Sequence, residues 1–244
     1  MPSGERHTRL EKAKEFLQTH GVLRTAHRCA YSAIKHYHPY MTMSCLAAKM
    51  DDLRLPAETL DYEARFLDED ELLQFARVRA LSAEGLTEPL IPALTRNGDK
   101  CFGILDQGRL AAFAWYAVRS PARMNDLWAL EFAGRSVYLY FVYTHPQYRG
   151  RRLFAHGVKL ASKKYAEDGY EHLVAFVEWA NYSSLAAFRR MGFQEFGRMR
   201  ITRAFGRDIT LGGRGCERFG FRVVRNPNPL TAVSRATASA NNPV

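Results

Sequence analysis

The sequence lacks the marks of several common protein classes. No run of about 18 or more uncharged apolar residues occurs, so we expect no membrane-spanning helix. The opening residues, MPSGERHTRLEKAKEF, have no apolar segment of the kind found in secretory signal peptides. The cysteines stand far apart without a CxxC pair, which argues against a disulfide framework or a metal site. We therefore expect free thiols in a reducing cytoplasm at Cys29, Cys45, Cys101 and Cys216.

Acidic residues are also in deficit. The 244 residues include 35 lysines and arginines against 25 aspartates and glutamates, a formal net charge of +10. Such an excess favours an anionic partner, which could be a nucleic acid, an acidic membrane surface or a phosphorylated cofactor. A solvated basic surface explains the charge equally well. The hydrophobic fraction of 47% is ample for one sizeable core.

Three zones follow one another along the chain. Residues 1–56 are basic, and their apolar residues recur every three to four positions, which predicts a helical N-terminal extension. That extension would pack on its own domain or, as an alternative, lie weakly on the inner face of a membrane. Residues 57–225 alternate strand and helix patterns, including a hairpin about Gln107-Gly108, and predict a mixed α/β (α+β) fold. Residues 226–244 have little to bury and predict a disordered tail.

A strand, a turn and a helix in the middle of the chain carry most of the functional signal. The run VYLYFVY, residues 137–143, is apolar on both faces and predicts a central strand that ends before Pro146. The next residues, HPQYRGRRLFAHG, hold three arginines and no acid, and a helix is predicted to begin near Arg151 or Arg152. Free amides and the helix dipole already make such an end positive, so the added charge predicts a bound anion. A diphosphate fits best, and a basic surface loop is the alternative.

A second motif follows this helix. The stretch LVAFVEWANYSSLAAFRRMGF predicts a strand, then Asn181, a short helix and Gly192-Phe193. In this order with VYTHPQYRGRRLF, it resembles the GNAT superfamily of acyl-CoA-dependent N-acyltransferases. The resemblance covers residues 62–224 in element order, and its specific motifs lie in residues 137–193. It implies a central twisted mixed sheet of about six to seven strands flanked by helices.

The resemblance also implies a donor site, with acetyl-CoA or another acyl-CoA as co-substrate. The backbone of the central strand would bind the pantetheine arm, at Phe141, Val142 and Tyr143. The pyrophosphate would lie on consecutive backbone amides, those of Arg149, Gly150, Arg151, Arg152, Leu153 and Phe154. The same groove would be lined by residues that follow the next strand, namely Asn181, Ser184 and Phe188.

Two positions of the turn depart from the family pattern. Where the family keeps glycine the chain has Arg152, and where the family keeps glycine or alanine it has Phe154. The amides can still face the phosphates if Arg152 turns outward to clamp a phosphate while Phe154 packs into the core. The departure argues for a donor site that differs from that of an ordinary acetyl-CoA enzyme.

The acid and base of the family are also replaced. The frequent general acid, a tyrosine, falls on Phe188, which cannot donate a proton; Tyr182 is the substitute that we predict. The glutamate base of some members falls on Phe176. Glu178 projects from the same strand face and would act as the base through water, with Glu131 as another option.

These residues predict an N-acyltransferase that moves an acetyl or longer acyl group from CoA to a primary amine. The acceptor would be a small molecule or a peptide, and the sequence does not identify it. One alternative is a non-catalytic module on the same fold that binds acyl-CoA or RNA, although nucleic acid is not the expected partner. Another is an acyltransferase that takes its donor from an acyl carrier protein.

The last strands of the predicted domain are rich in arginine. Eight arginines stand between residues 198 and 225, against only Asp208 and Glu217. On paired strands, alternate arginines would share one face. That face would meet an anionic acceptor or RNA, or it would be a solvated sheet edge whose charges discourage edge pairing.

Overall fold

The computed structural model describes residues 17, 21–23, 25, 26, 40–54, 61–77, 86–204 and 207–230. Its strands are β1 (Tyr40–Lys49), β2 (Glu63–Leu67), β3 (Lys100–Asp106), β4 (Arg109–Ala117), β5 (Ala122–Arg123), β6 (Trp128–Glu131), β7 (Ser136–Thr144), β8 (His172–Glu178), β9 (Gln194–Ala204), β10 (Arg207–Gly212) and β11 (Arg222–Arg225). Its helices are α1 (Glu69–Arg77), α2 (Ile91–Arg96), α3 (Leu153–Glu167) and α4 (Tyr182–Arg190). Two 3-10 turns cover Pro146–Tyr148 and Arg214–Phe219. None of these helices is long and apolar enough to cross a membrane.

Eight strands form one mixed sheet in the order β10-β9-β1-β8-β7-β4-β3-β2. Strands β7 and β8 are parallel, and every other neighbouring pair is antiparallel. A smaller sheet has the order β11-β6-β5. The mixed α/β prediction is confirmed, and the sheet has one strand more than the six to seven expected.

The additional strand comes from the segment that was predicted to be helical. Strand β1 lies between β8 and β9, and its Leu46 pairs with Ala175 on one side and Glu195 on the other. The helical prediction is therefore wrong for residues 40–49. A strand that is buried on both faces has a continuous apolar run instead of an alternating one, so periodicity does not distinguish it from a helix. Residues 17, 21–23, 25 and 26 are helical, and the rest of residues 1–39 lies outside the described part of the chain.

Two apolar cores flank the large sheet. One lies under α3 and α4 and contains Leu139, Val158 and Phe188. The other lies between the sheet, α1, α2 and the small sheet, and it contains Tyr138 and Tyr140. Successive residues of β7 thus enter opposite cores, as the alternation of side chains along a strand requires.

The first residues of the predicted tail are attached to the small sheet. The amide of Asn226 donates to the carbonyl of Leu127 at 2.9 Å, and the amide of Leu230 donates to the Asp126 carboxylate at 3.2 Å. The prediction of a disordered tail is therefore wrong for residues 226–230. Residues 231–244 lie outside the described residues.

Candidate functional site

The large sheet opens between its two parallel strands. The register of β7 with β8 ends at the pair Leu139↔Ala175. Beyond it β7 follows β4 as far as Thr144, while β8 follows β1 as far as Glu178. The carboxyl-terminal halves of the two strands thus diverge. In sheets of this kind, ligands bind at the carboxyl ends of strands where the pairing order breaks.

Strand β7 carries a bulge inside this opening. Tyr140 pairs with Trp115 and Tyr143 pairs with Phe113, so Phe141 and Val142 together oppose the single residue between those two partners. Phe141 has a φ of 44°, which bulky residues adopt only when the surrounding structure imposes it. Neither bulge residue has a register partner in β8. The bulge therefore presents backbone polar groups of the central strand toward the opening.

Helix α3 follows this strand after a turn, and no side chain caps its N-terminus. Arg152 is its N-cap residue and makes no capping hydrogen bond through its side chain, and the first turn contains no acid. The first amides of a helix have no carbonyl partner within it, and the dipole places about half a positive charge there. The observed start at Leu153 agrees with the start predicted from sequence.

An open pocket of about 750 Å³ lies between the start of α3 and the end of α4. Four arginines from three parts of the chain line this pocket, and none of the described carboxylates does. None of the four guanidinium groups has an ion-pair partner among the described residues. We call them the pocket arginines; they are Arg54, Arg149, Arg152 and Arg190. Four unpaired like charges around one cavity favour an anionic ligand.

Two of the pocket arginines were not predicted. Arg54 follows β1, in the segment that was assigned to a separate extension. Its amide donates to the carbonyl of Met191 at 2.9 Å, and this bond holds it beside Arg190 at the end of α4. Gly192 permits this approach, because a Cβ there would come within 3.1 Å of the Asp52 carbonyl. The Arg-Arg pair before Met191 is visible in the sequence, but Arg54 reaches the site only through the tertiary fold.

Most of this site lies in a part of the chain that matches a known protein family. The model of the "Acetyltransferase (GNAT) family" matches residues 58–193, which is more than half of the chain. The chain belongs to the GNAT acetyltransferase family. The matched residues contain the diverging strands β7 and β8, the bulge, the start of α3 and all of α4.

Several solved structures are similar to the chain at low identity. A Drosophila protein shares 19% identity over 75% of this chain and 58% of its own, with a TM-score of 0.49. A GNAT-family protein from Novosphingobium aromaticivorans shares 22% over 67% of this chain and 63% of its own, with a TM-score of 0.47. A GNAT-family acetyltransferase from Colwellia psychrerythraea shares 17% over 71% of this chain and 60% of its own, with a TM-score of 0.48. The chain thus spans about three fifths of the length of these proteins. No curated protein matches the chain.

The GNAT pattern explains the backbone at Arg152. This residue occupies a glycine position of the family and has a φ of 60°, a left-handed conformation that glycine adopts without strain. Arg152 thus adopts a conformation that a glycine would adopt more easily. Its side chain adds a positive charge to the pocket wall, and its contact with a phosphate stays a prediction.

Replacing Arg152 with glycine should raise stability and lower anion affinity in the same protein. Relief of the left-handed conformation should raise the free energy of unfolding by about 1 kcal/mol. Loss of the guanidinium should weaken CoA binding by about tenfold. Urea denaturation and calorimetric titration measure the two effects. Arg152→Ala loses the same charge but keeps the left-handed conformation, so its CoA affinity should fall as in Arg152→Gly while its stability should not rise. Equal free energies of unfolding for the two variants would contradict this explanation.

The predicted donor-site residues divide into two groups. Arg149, Gly150, Arg152, Leu153 and Phe154 line the pocket. The other predicted residues are not among those that line it; they are Phe141, Val142, Tyr143, Arg151, Asn181, Ser184 and Phe188.

The Arg151 side chain is directed away from the pocket. Its guanidinium donates to the hydroxyl of Tyr62 at 3.0 Å and lies over the Tyr148 ring, 5.4 Å from the centroid. Of the three arginines in the turn, two therefore line the pocket, and the third contacts the residue before β2 and the ring of Tyr148. Arg151 would therefore contribute to the donor site through its backbone amide and not through its side chain.

The prediction that Phe188 lines the groove is wrong. Its side chain is 3% exposed and packs against Phe154, with ring centroids 5.3 Å apart, and against Phe193 at 4.8 Å. The Phe188 ring lies behind the pocket wall because this position of α4 faces the core under the sheet. Phe154 lies between the two environments, since it both contacts this core and lines the pocket.

Asn181 has a local structural role. It is the N-cap of α4, and its side-chain oxygen accepts hydrogen bonds from the amide of Ser184 at 3.2 Å and from the hydroxyl of Ser183 at 3.1 Å. Capping of this kind satisfies amides that the helix leaves free. Contacts of Asn181 and Ser184 with a cofactor stay predictions.

The proposed acid and base lie at the open end of the sheet. Glu178 is the last residue of β8, and Tyr182 is the first residue of α4. Both side chains are half-buried, and both make interactions in the fold. Glu131, the other candidate base, forms an ion pair with Arg222 at 2.7 Å, which occupies its carboxylate. Within the described residues, no cluster of three or more His, Cys, Asp or Glu side chains could hold a metal ion.

The arginine-rich strands carry several ion pairs. Arg198 contacts Glu195, Arg222 contacts Glu131, and Arg225 lies 3.8 Å from Asp208. These contacts agree with a solvated sheet edge and reduce the charge that is free to meet an RNA.

A buried carboxylate beside the bulge was missed by the sequence analysis. Asp99 is 3% exposed and accepts hydrogen bonds from the Tyr140 hydroxyl and from the Asn97 amide at 3.0 Å. Burial raises the pKa of Asp99 from its ordinary value of 3.8 to about 6. The hydrogen bond anchors Tyr140, the residue directly before the bulge. No motif connects Asp99 to Tyr140 in sequence, so only the fold reveals the pair.

The raised pKa of Asp99 predicts a specific pH dependence. The folded state holds this proton more tightly than the unfolded state, so the resulting stability is complete below pH 3.8 and is lost as the pH rises through 6. Asp99→Asn keeps a hydrogen-bonding side chain but has no charge to bury. As the pH rises from 4.5 to 8, the free energy of unfolding of Asp99→Asn minus that of wild type should increase by about 2 kcal/mol. A difference between the two proteins that does not change with pH in urea denaturation would contradict this assignment.

Proposed function

We propose that the protein is an N-acyltransferase that moves an acetyl or longer acyl group from CoA to a primary amine. One observation carries the proposal: a cavity lined by four arginines without an ion-pair partner among the described residues lies at an uncapped helix start, one turn after a bulged strand in an open sheet. An acyl-CoA has the matching parts, which are a diphosphate, an extended amide-containing arm and a thioester.

The diphosphate fits the start of α3. The amides of its first turn, from Leu153 onward, have no partner within the helix and face the end that attracts anions. Arg149 and Arg152 line the pocket at this end, and they would add charge-assisted hydrogen bonds to the phosphate oxygens. The positive φ values of Gly150 and Arg152 give the turn the shape that leads the chain into the helix.

The pantetheine arm fits the opening between β7 and β8. Its amide groups would hydrogen-bond to the β7 backbone beyond Leu139, where no β8 residue is in register. This places the thioester near Phe141 and Val142. A backbone amide of the bulge would then donate to the oxyanion that develops on the thioester carbonyl.

The protein needs mainly to position the amine and the thioester for this reaction, because a thioester is already activated. The neutral amine attacks the carbonyl carbon, a tetrahedral intermediate forms, and the carbon–sulfur bond breaks to release CoA. Glu178 would accept, through water, the proton that the attacking nitrogen loses as the amide forms. Tyr182 would protonate the leaving thiolate. Both roles follow from the place of these residues at the open end of the sheet.

A second candidate is a module that binds acyl-CoA without turning it over. The observation that favours it is the replacement of the family acid and base by apolar rings. Phe188 and Phe176 are 3% and 8% exposed, and Phe176 packs against Phe221 with ring centroids 6.0 Å apart. Neither position can take part in proton transfer.

A combined binding and turnover experiment separates these functions. Acetyl-CoA and longer acyl-CoAs are titrated by calorimetry, and release of free CoA thiol is followed over a panel of primary amines. The enzyme predicts saturable binding and thiol release that depends on both protein and amine. Binding without release on any amine would favour the module, and a folded protein that binds no acyl-CoA would overturn both proposals.

A further inference from the structure

The pocket has more positive charge than a diphosphate requires. A diphosphate diester carries two negative charges at neutral pH, and Arg149 and Arg152, with the free amides of α3, can match them. Arg54 and Arg190 remain. They line the same pocket from the other side, where the end of α4 meets the segment after β1.

The positions of these two arginines are fixed by the fold. The amide of Arg54 bonds to the carbonyl of Met191, the residue next to Arg190. The close approach of Asp52 to Gly192 holds the same two segments together. Neither guanidinium has an ion-pair partner among the residues that the structure describes.

The neighbouring arginine behaves differently. Arg189 precedes Arg190 on α4, yet its guanidinium contacts the Glu195 carboxylate at 3.3 Å and does not line the pocket. A basic residue in the last turn of a helix is expected from the dipole alone, and Arg189 meets that expectation. Arg54 belongs to no helix, so the dipole does not account for the pair that it forms with Arg190.

We propose that Arg54 and Arg190 bind the phosphate of the donor that lies outside the diphosphate, the 3′-phosphate on the ribose of CoA. The inference rests on the proposed function, because it assigns the remaining charge of the same pocket to the same donor. A phosphate monoester carries close to two negative charges at neutral pH and offers three acceptor oxygens, which suits two guanidinium groups. The pair would therefore make the enzyme prefer free CoA thioesters.

The same pair would select against carrier-protein donors. An acyl carrier protein presents phosphopantetheine through a single phosphodiester and has no ribose phosphate. Such a donor would leave Arg54 and Arg190 without a ligand and the far side of the 750 Å³ pocket unfilled. Unpaired like charges that a ligand does not neutralise are a recognised means of discrimination between related ligands.

The test compares acetyl-CoA with acetyl-3′-dephospho-CoA by calorimetric titration of the full chain. Wild type should bind acetyl-CoA at least about tenfold more tightly than the dephospho form, and salt should weaken this preference. In the double variant Arg54→Ala, Arg190→Ala the ratio should fall to about two or less, while affinity for the dephospho form stays within about threefold of wild type. Arg189→Ala, the matched control, should keep the wild-type ratio. Circular dichroism confirms that each variant is folded.

The outcomes distinguish the inference from the function on which it rests. Equal affinity of wild type for the two ligands would overturn the inference and leave the proposed function standing. Equal loss of affinity for both ligands in the double variant would also overturn it, because the two arginines would then act on the diphosphate. No binding of either ligand by folded wild type would overturn the proposed function itself.

Discussion

Replacing Arg149 and Arg152 together with alanine is expected to weaken acetyl-CoA binding by about 100-fold or more. Both side chains line the pocket at the start of α3, and neither has another ionic partner among the described residues. Each hydrogen bond to a charged group contributes about 1.5–3 kcal/mol, so two lost contacts account for this factor. Calorimetric titration at low and moderate salt measures it, and the wild-type affinity should show the steeper salt dependence.

Arg151→Ala provides the matched comparison. It removes one charge from the same turn, but the Arg151 side chain contacts Tyr62 and the Tyr148 ring instead of the pocket. Its affinity for acetyl-CoA should fall by less than about threefold, the effect of a nearby screened charge. If Arg151→Ala weakened binding as much as the double variant, general charge would explain the affinity and the pocket geometry would not.

Replacing Leu46 with aspartate is expected to prevent stable folding. Leu46 is fully buried in β1, and this strand joins β8 to β9 inside the large sheet. An unpaired carboxylate there costs several kcal/mol, comparable with the roughly 5–15 kcal/mol that stabilises a typical domain. Far-UV circular dichroism and urea denaturation should show a largely unfolded protein. The exposed end of the same strand gives the control, since Lys49→Asp should change stability by less than about 1 kcal/mol.

A truncated chain tests the same point at the level of the domain. A protein that starts at residue 57, the boundary predicted from sequence, lacks β1 and leaves the edges of β8 and β9 without a partner. It should aggregate or remain unfolded. Cooperative unfolding of this truncated protein close to the wild-type midpoint would show that β1 is dispensable.

Much of the fold is visible in the sequence because local patterns and tertiary structure agree there. The hairpin predicted about Gln107-Gly108 is confirmed, and both residues have the positive φ that a tight turn requires. Asp68 and the acids after it open α1, where its side chain accepts from the Glu71 amide at 2.8 Å. The start of α3 and the short helix after Asn181 are also confirmed. Each of these signals depends on residues a few positions apart.

The elements that were missed depend on contacts across the chain. An apolar run such as that of β1 has no alternation to reveal a strand, because its neighbours bury both faces. Arg54 and Asp99 reach the site through partners at Met191 and Tyr140, far away in sequence. The direction of the Arg151 side chain depends on Tyr62, the residue before β2. The turn and helix start that line the pocket were therefore predictable as a motif, whereas the distribution of charge around the pocket required the fold.

In the proposed enzyme, the first turn of α3 together with Arg149 and Arg152 binds the diphosphate of an acyl-CoA. Amide chemical shifts of the isotope-labelled protein during titration with CoA test this assignment most directly. The largest changes should occur at Gly150, Leu153, Phe154 and Ala155, with smaller changes at the end of α4. Saturable CoA binding that leaves these amides unchanged and shifts resonances elsewhere would contradict it.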